Sequence, residues 1–266
     1  MEYLEFIFYG LIQGLTEFIP VSSTAHLKIL SLFFGINDPG SSLSAIMQIG
    51  SIFAILWYFR KNIFYLYDTN ARNIYHFSLS NKIYKSIFIG SIPIILMGGM
   101  IKLFFTEFSD SFLRSNFSIG VLSILMALIM LLADISRSKS ININNHKYMD
   151  SLFIGIAQAF AIFPGVSRSG ATISIALLFG WERSDAAKFS FLLGIPAISL
   201  AAFVEFIGSI NEFLTFSFFP LIVGLITTFF SSLLAIDFLI KYISSKGLKV
   251  FVLYRFIFGI LILFNL

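Results

Sequence analysis

The sequence predicts an all-α integral membrane protein organised as an inverted-topology repeat, each half a re-entrant helical hairpin followed by three transmembrane helices. Three observations predict it. The 266 residues are 58% hydrophobic and 12% charged, about half the charge of an ordinary soluble domain, and a soluble domain of this size could not bury so much apolar surface. The apolar residues run in long stretches separated by short charged ones, several of them long enough for the roughly 20 residues that cross a bilayer core. Two of the stretches are interrupted at their middle by proline and a cluster of hydroxyls.

In chain order, the first interrupted stretch runs over 3–34 and is broken at Pro20 and Ser22-Ser23-Thr24. Plain spanning helices are expected at 41–59, 83–105 and 116–133. The second interrupted stretch, 151–181, is broken at Pro164-Gly165 and Ser167-Arg168-Ser169, and plain helices follow at 185–207, 219–240 and 250–264. The halves of each interrupted stretch are short for full spans, so each is expected to be a hairpin with its break at membrane depth. Shifting the first stretch by 145 residues lays Gly10, Gln13, Phe18, Val21, Ser22 and Gly35 on Gly155, Gln158, Phe163, Val166, Ser167 and Gly180. The chain is therefore expected to be one membrane domain, with repeat one over about 1–133, repeat two over about 151–266 and a connection over 134–150. Three spans is an odd number, so the second copy enters from the opposite face, and paired interrupted segments in such repeats point to a site near the midplane.

Thirteen of the eighteen Lys and Arg residues fall in four connections: 60–85, 134–150, the turn holding Arg183 and Lys188, and 241–249. The positive-inside rule makes these cytoplasmic and puts both termini outside the cytoplasm, in a multi-pass protein of the inner membrane. Met1-Glu2-Tyr3 lacks the basic start of a cleaved signal peptide. There is no cysteine, which excludes disulfides, thiol catalysis and thiolate metal sites. The net charge of +4 gives no sign of nucleic-acid binding. Expected partners are a lipid substrate and the surrounding lipids, with a homodimer as a candidate assembly.

An arginine flanked by hydroxyls inside an apolar stretch is expensive, at least about 2.5–3.5 kcal/mol, and marks a site. Gly165 lets the backbone turn, Ser167 or Ser169 can cap the following half-helix, and the start of that half-helix favours an anion. Arg168 adds a two-pronged donor matched to phosphate oxygens, with Thr172 one turn further on. In the first break Gln13 and Glu17 share a helix face, Ser22, Ser23 and Thr24 open the next half-helix, and His26 lies three residues after Ser23. A carboxylate, a hydroxyl and an imidazole form a candidate acid, nucleophile and base set. Gln48 is a candidate to face the same cavity. Lys188 and Arg255 read as surface or helix-packing residues, and Asp237 as a partner of Lys241.

At these motifs the sequence resembles the bacterial undecaprenyl-diphosphatase family, also known for bacitracin resistance. The resemblance rests on Gln13 to Glu17, on the Pro-x-Ser-Ser-x-x-His run from Pro20 to His26, and on Pro-Gly-x-Ser-Arg-Ser-x-x-Thr from Pro164 to Thr172. It implies hydrolysis of undecaprenyl diphosphate to the monophosphate and inorganic phosphate, with dependence on magnesium or calcium and Glu17 as a metal contact. Glu17, Ser23, His26 and Arg168 match catalytic positions of that family, and Ser167, Ser169 and Thr172 match phosphate-contacting ones. Ser23 attacks or positions water, and the roles of Glu17 and His26 stay undivided. Gln13 stands where many members carry Glu, which leaves one carboxylate fewer for a metal. The rival class is a transporter or flippase of a lipid phosphate, an architecture that also uses inverted repeats with broken helices.

Overall fold

A computed structural model describes residues 2–34, 40–64, 81–104, 112–136, 139–208 and 216–265; Gly35, Arg72 and Arg137 of the sequence argument lie outside them. The helices are α1 (Glu2–Phe18), α2 (Ser23–Phe34), α3 (Gly40–Tyr58), α4 (Arg60–Phe64), α5 (Asn81–Phe104), α6 (Asn116–Ile135), α7 (Tyr148–Ala159), α8 (Arg168–Leu178), α9 (Arg183–Gly208), α10 (Phe218–Lys246) and α11 (Lys249–Asn265), with a 3-10 turn at Phe160–Ile162 after α7. Among the described residues there is one isolated bridge, Ile141 to Trp181, and no strand. Helices α5, α6, α9 and α10 are long and apolar enough to cross a membrane. Their outward faces carry exposed Phe88, Leu103, Phe117, Phe203 and Leu234, the surface a bilayer solvates and water does not.

Both interrupted stretches are helix–break–helix. Helix α1 ends at Phe18 and α2 starts at Ser23; α7 gives way to the 3-10 turn and α8 starts at Arg168. Ser22 (φ +76°) and Ser167 (φ +69°) are the only non-glycine residues with positive φ among those described, and they are one of the pairs that the 145-residue shift matches. Such a conformation costs an L-residue roughly 1–2 kcal/mol, so two serines sharing it is a structural parallel between the breaks.

The halves pack by exchange. Helix α1 crosses α10, and α7 crosses α5. At the first crossing Gly10 faces the carbonyl of Gly224; at the second Gly155 faces the carbonyl of Gly90. A side chain at Gly10 or Gly155 would overlap the opposing backbone, so these glycines set how closely the helices approach. Helices α6 and α11 pair, as do α3 and α9. Each broken stretch thus lies against the other half, which brings the two breaks together.

Helix ends and connections among the described residues carry a set of polar contacts. Arg183 pairs with Asp134 at 2.8 Å, and the other oxygen of Asp134 accepts the N–H of Leu248 at 3.1 Å. Lys82 donates to the carbonyl of Asn144, and Asp237 accepts from Tyr58 and pairs with Lys241 at 2.6 Å. Helix α10 outruns its expected end at 240; the Asp237–Lys241 pair lies one turn apart in this extension, which ends at Gly247 (φ +70°). His146 donates from Nδ1 to the carbonyl of Ile143 and accepts at Nε2 from Ser86, each at 2.6 Å, since a carbonyl only accepts. Burial holds the imidazole pKa below its usual value, with nearby Lys82 acting in the same direction.

Candidate active site

The last turn of α1 puts Gln13 and Glu17 on one face, and Gln13 Nε2 donates to Glu17 Oε2 at 3.0 Å. The turn at Pro20 to Ser22 folds the chain back, so Ser23, the first residue of α2, returns to the same carboxylate and donates from Oγ to Oε2 at 2.8 Å. Across the interface Arg168, the first residue of α8, donates from Nε and Nη2 to Glu17 Oε1 at 3.4 and 3.3 Å. Its Nη1 donates to the main-chain carbonyl of Ser190 on α9 at 2.9 Å, and the guanidinium lies where a side chain at Gly194 would stand. Glu17 is only 8% exposed. A buried carboxylate is tolerated when its oxygens are filled by donors and an opposite charge, and both conditions hold here.

These groups line a cavity of about 160 Å³. Of the residues expected from the sequence, Glu17, Ser22, Ser23, Thr24, Gln48, Ser167 and Arg168 are on its wall. Both half-helices, α2 and α8, begin at this cavity, so two positive helix ends meet there, an arrangement that favours an anion. Ser167 caps α8 by accepting the N–H of Gly170 at 3.2 Å.

Other expected residues serve the frame. Gly165 donates its N–H to Ser22 Oγ at 3.2 Å, and Ser169 Oγ donates to the carbonyl of Ile19 at 3.4 Å, both bonds between the breaks. Thr172 Oγ1 donates to the carbonyl of Arg168 and sits 2.6 Å from Ser190 Oγ, behind the guanidinium. His26 turns away from the cavity: Nδ1 donates to the carbonyl of Ser22 at 2.8 Å, Nε2 lies 2.5 Å from Tyr254 Oη, and the ring stacks on Phe258 at 4.3 Å. With Nδ1 carrying the proton, Nε2 of the neutral ring accepts from the Tyr254 hydroxyl. Three residues of helix leave His26 about 60° round from Ser23, enough to hand it to α11.

Arg255, expected at the surface or in helix packing, joins the site's frame. It is fully buried on α11 with no ion-pair partner among the described residues. Nη1 donates to the carbonyl of Pro20 at 3.3 Å, Nη2 to the carbonyl of Gly165, and Nε to the carbonyl of Ser123 at 3.4 Å. One guanidinium thus clasps both breaks. Its signal was the one that exposed Arg168, a charge in an apolar run, but without polar neighbours in sequence. Ser190 acts through its main-chain carbonyl, which no sequence pattern marks.

A membrane-embedded bundle that buries a carboxylate, hydroxyls and a guanidinium where two half-helices begin defines a polytopic membrane protein with an anion-handling site. The chain belongs to the bacitracin resistance protein BacA family, which it matches over residues 6–261. It is similar to proteins named undecaprenyl-diphosphatase: that of Prochlorococcus marinus strain MIT 9515 is 74% identical over 266 residues, covering all of both chains. That of Prochlorococcus marinus subsp. pastoris strain CCMP1986 is 72% identical with the same coverage. The protein of Synechococcus sp. strain RCC307 is 42% identical over 257 residues, 96% of this chain and 90% of the relative.

Proposed function

We propose that this chain is a membrane enzyme that hydrolyses undecaprenyl diphosphate to undecaprenyl phosphate and inorganic phosphate, recycling the lipid carrier for cell-wall synthesis and conferring bacitracin resistance. The observation that carries the reading is the Ser23 hydroxyl hydrogen-bonded to Glu17 in the cavity that also holds Arg168. Arg168 and the starts of α2 and α8 hold the terminal phosphate and stabilise the charge that develops on it. As Ser23 Oγ bonds to the terminal phosphorus its proton passes to Glu17 Oε2, and the bond from phosphorus to the bridging oxygen breaks, releasing the lipid monophosphate. Water then cleaves the phosphoserine to inorganic phosphate. In the alternative, Ser23 orients a water whose proton Glu17 takes directly. Gln13 keeps the carboxylate aimed, and His26 holds the Ser22 carbonyl and with it the turn.

Among the described residues no three His, Cys, Asp or Glu side chains gather as a metal cage. Glu17 is the one carboxylate on the cavity wall, and magnesium is commonly held by one or two carboxylates together with the substrate's phosphate oxygens. That donor set fits, and magnesium or calcium bound there would neutralise diphosphate charge.

In this reading the interrupted stretches are re-entrant hairpins of an inverted repeat, supported by the matched serines and by the exchanged packing of α1 on α10 and α7 on α5. The basic connections face the cytoplasm and both termini lie outside it. A pure carrier of lipid phosphates would use the same architecture, but has no need for a hydroxyl aimed at a carboxylate. The test is phosphate release from undecaprenyl diphosphate by detergent-purified protein with magnesium or calcium. We expect turnover that Glu17→Gln lowers at least about a hundredfold; no release by the wild type sinks the hydrolase reading.

A further inference from the structure

The cavity is two-faced. Besides its polar residues and the 161–164 segment of the second break, the wall is Ile94 of α5 with Ala197, Ile198 and Ala201 of α9. Such a wall offers a charged anion no donor, and bare phosphate gains nothing from it. An amphiphile uses both faces at once. Ala197 and Ala201 stand one turn apart on one face of α9, and Ala201 is exposed at the cavity's edge. Pro93 and Pro196 lie inside α5 and α9, each directly before a wall residue. A proline within a helix removes a backbone hydrogen bond and bends it, so both helices are weakened at the height of the cavity. Further along, Gly98 of α5 and Gly208 of α9 have open space where a side chain would stand. A second apolar groove, about 470 Å³ between α6, α7 and α8, is separated from the cavity by Phe163, which borders both. A headgroup on Arg168 could send its tail there only past that ring.

We propose that Ile94, Ala197, Ile198 and Ala201 form the subsite for the first isoprene units of the substrate, whose chain leaves to the bilayer between α5 and α9. This rests on the substrate being a polyprenyl diphosphate, and two measurements separate the claims. A prenyl diphosphate with a photoreactive group on its first isoprene, irradiated with the purified full chain, is expected to label residues 94–98 and 197–201. Labelling of Leu125, Ile129 or Phe160, or none that unlabelled lipid displaces, overturns the subsite. Ala201→Phe, at an exposed position, is expected to lower kcat/KM for undecaprenyl diphosphate relative to methyl diphosphate at least about tenfold, equivalent to roughly two buried methylenes. Leu125→Trp, in the other groove, should keep that ratio. An unchanged ratio in Ala201→Phe also overturns the subsite. If the wild type hydrolyses neither compound, the hydrolase reading fails while the labelling still decides the subsite.

Discussion

Arg255→Met tests whether the clasp holds the site together. Methionine keeps most of the buried volume and is a good helix former, so the change removes the guanidinium with little effect on packing. Two of the three accepting carbonyls, Pro20 and Gly165, belong to the breaks, where no helical ladder re-satisfies them. Leaving a buried acceptor unpaired costs about 1–3 kcal/mol, so the pair should cost roughly 2–6 kcal/mol. At a few degrees per kcal/mol for a chain of this size, Tm should fall by at least about 5 °C. The breaks carry Ser23 and Arg168, and a misplacement of about 1 Å between reacting groups can cost on the order of a hundredfold in rate, so kcat should fall further than the melting loss implies. Arg255→Lys keeps the charge but not the fork, and should recover part of the stability and less of the turnover. Thermal melting in detergent alongside kcat and KM reads both. If Arg255→Met melts within about 1 °C of wild type and turns over within about threefold, the clasp is not what aligns the breaks.

At Arg168 the fork bridges Glu17 and the Ser190 carbonyl, so Arg168→Lys should lose nearly all turnover while still inserting; near wild-type rates would refute the bidentate role. At the α7–α5 crossing, Gly155→Val forces Gly90 away, and overpacking of this kind should lower stability by at least about 1–3 kcal/mol, read as a lower Tm. His146 is held neutral by burial, with its folded pKa below the usual 6.5. The unfolded chain then binds the proton first, so stability is full above pH 6.5 and declines as pH falls below it. His146→Gln should flatten that acid decline in a melting series, and an unchanged slope would refute the assignment.

The fold was legible where apolar runs have the length of a bilayer. Five of the six plain helices fall within a few residues of expectation, because transfer free energy fixes where such a helix starts and stops. The exception, α10, runs on into polar turns to Lys246, past the point where hydropathy ends it. In the site, Glu17 and Arg168 were legible because burying charge in an apolar run is costly and therefore conspicuous. Direction was not. Ser169 and Thr172 carry the right chemistry yet point to Ile19 and Ser190, since the left-handed turn at Ser167 sets the rotation of α8 and sequence does not encode that angle. The orientation of His26 was hidden in the same way: the partners that hold its ring, Tyr254 and Phe258, lie more than two hundred positions away in sequence.

The 145-residue shift also bears on how two similar interrupted stretches build one asymmetric site. It sets Ser23 on Arg168, each directly after a left-handed serine and each the first residue of its half-helix. The hydroxyl that meets Glu17 and the guanidinium that meets it from the other side thus occupy equivalent places in the two halves. The same shift sets Glu17 on Ile162 and Gln13 on Gln158. Gln13 spends its amide on Glu17. Gln158, whose counterpart of the carboxylate is an isoleucine, is fully buried and neither amide atom has a hydrogen-bond partner. One half therefore keeps the carboxylate and hydroxyl, and the other keeps the cation and a glutamine without its partner acid. A positive half-helix start is common to both stretches, while the carboxylate on the cavity wall comes from the first stretch alone. Two carboxylates in so small a cavity would repel each other; with Ile162 at the matched position, Glu17 is the single counter-charge to Arg168 on the cavity wall.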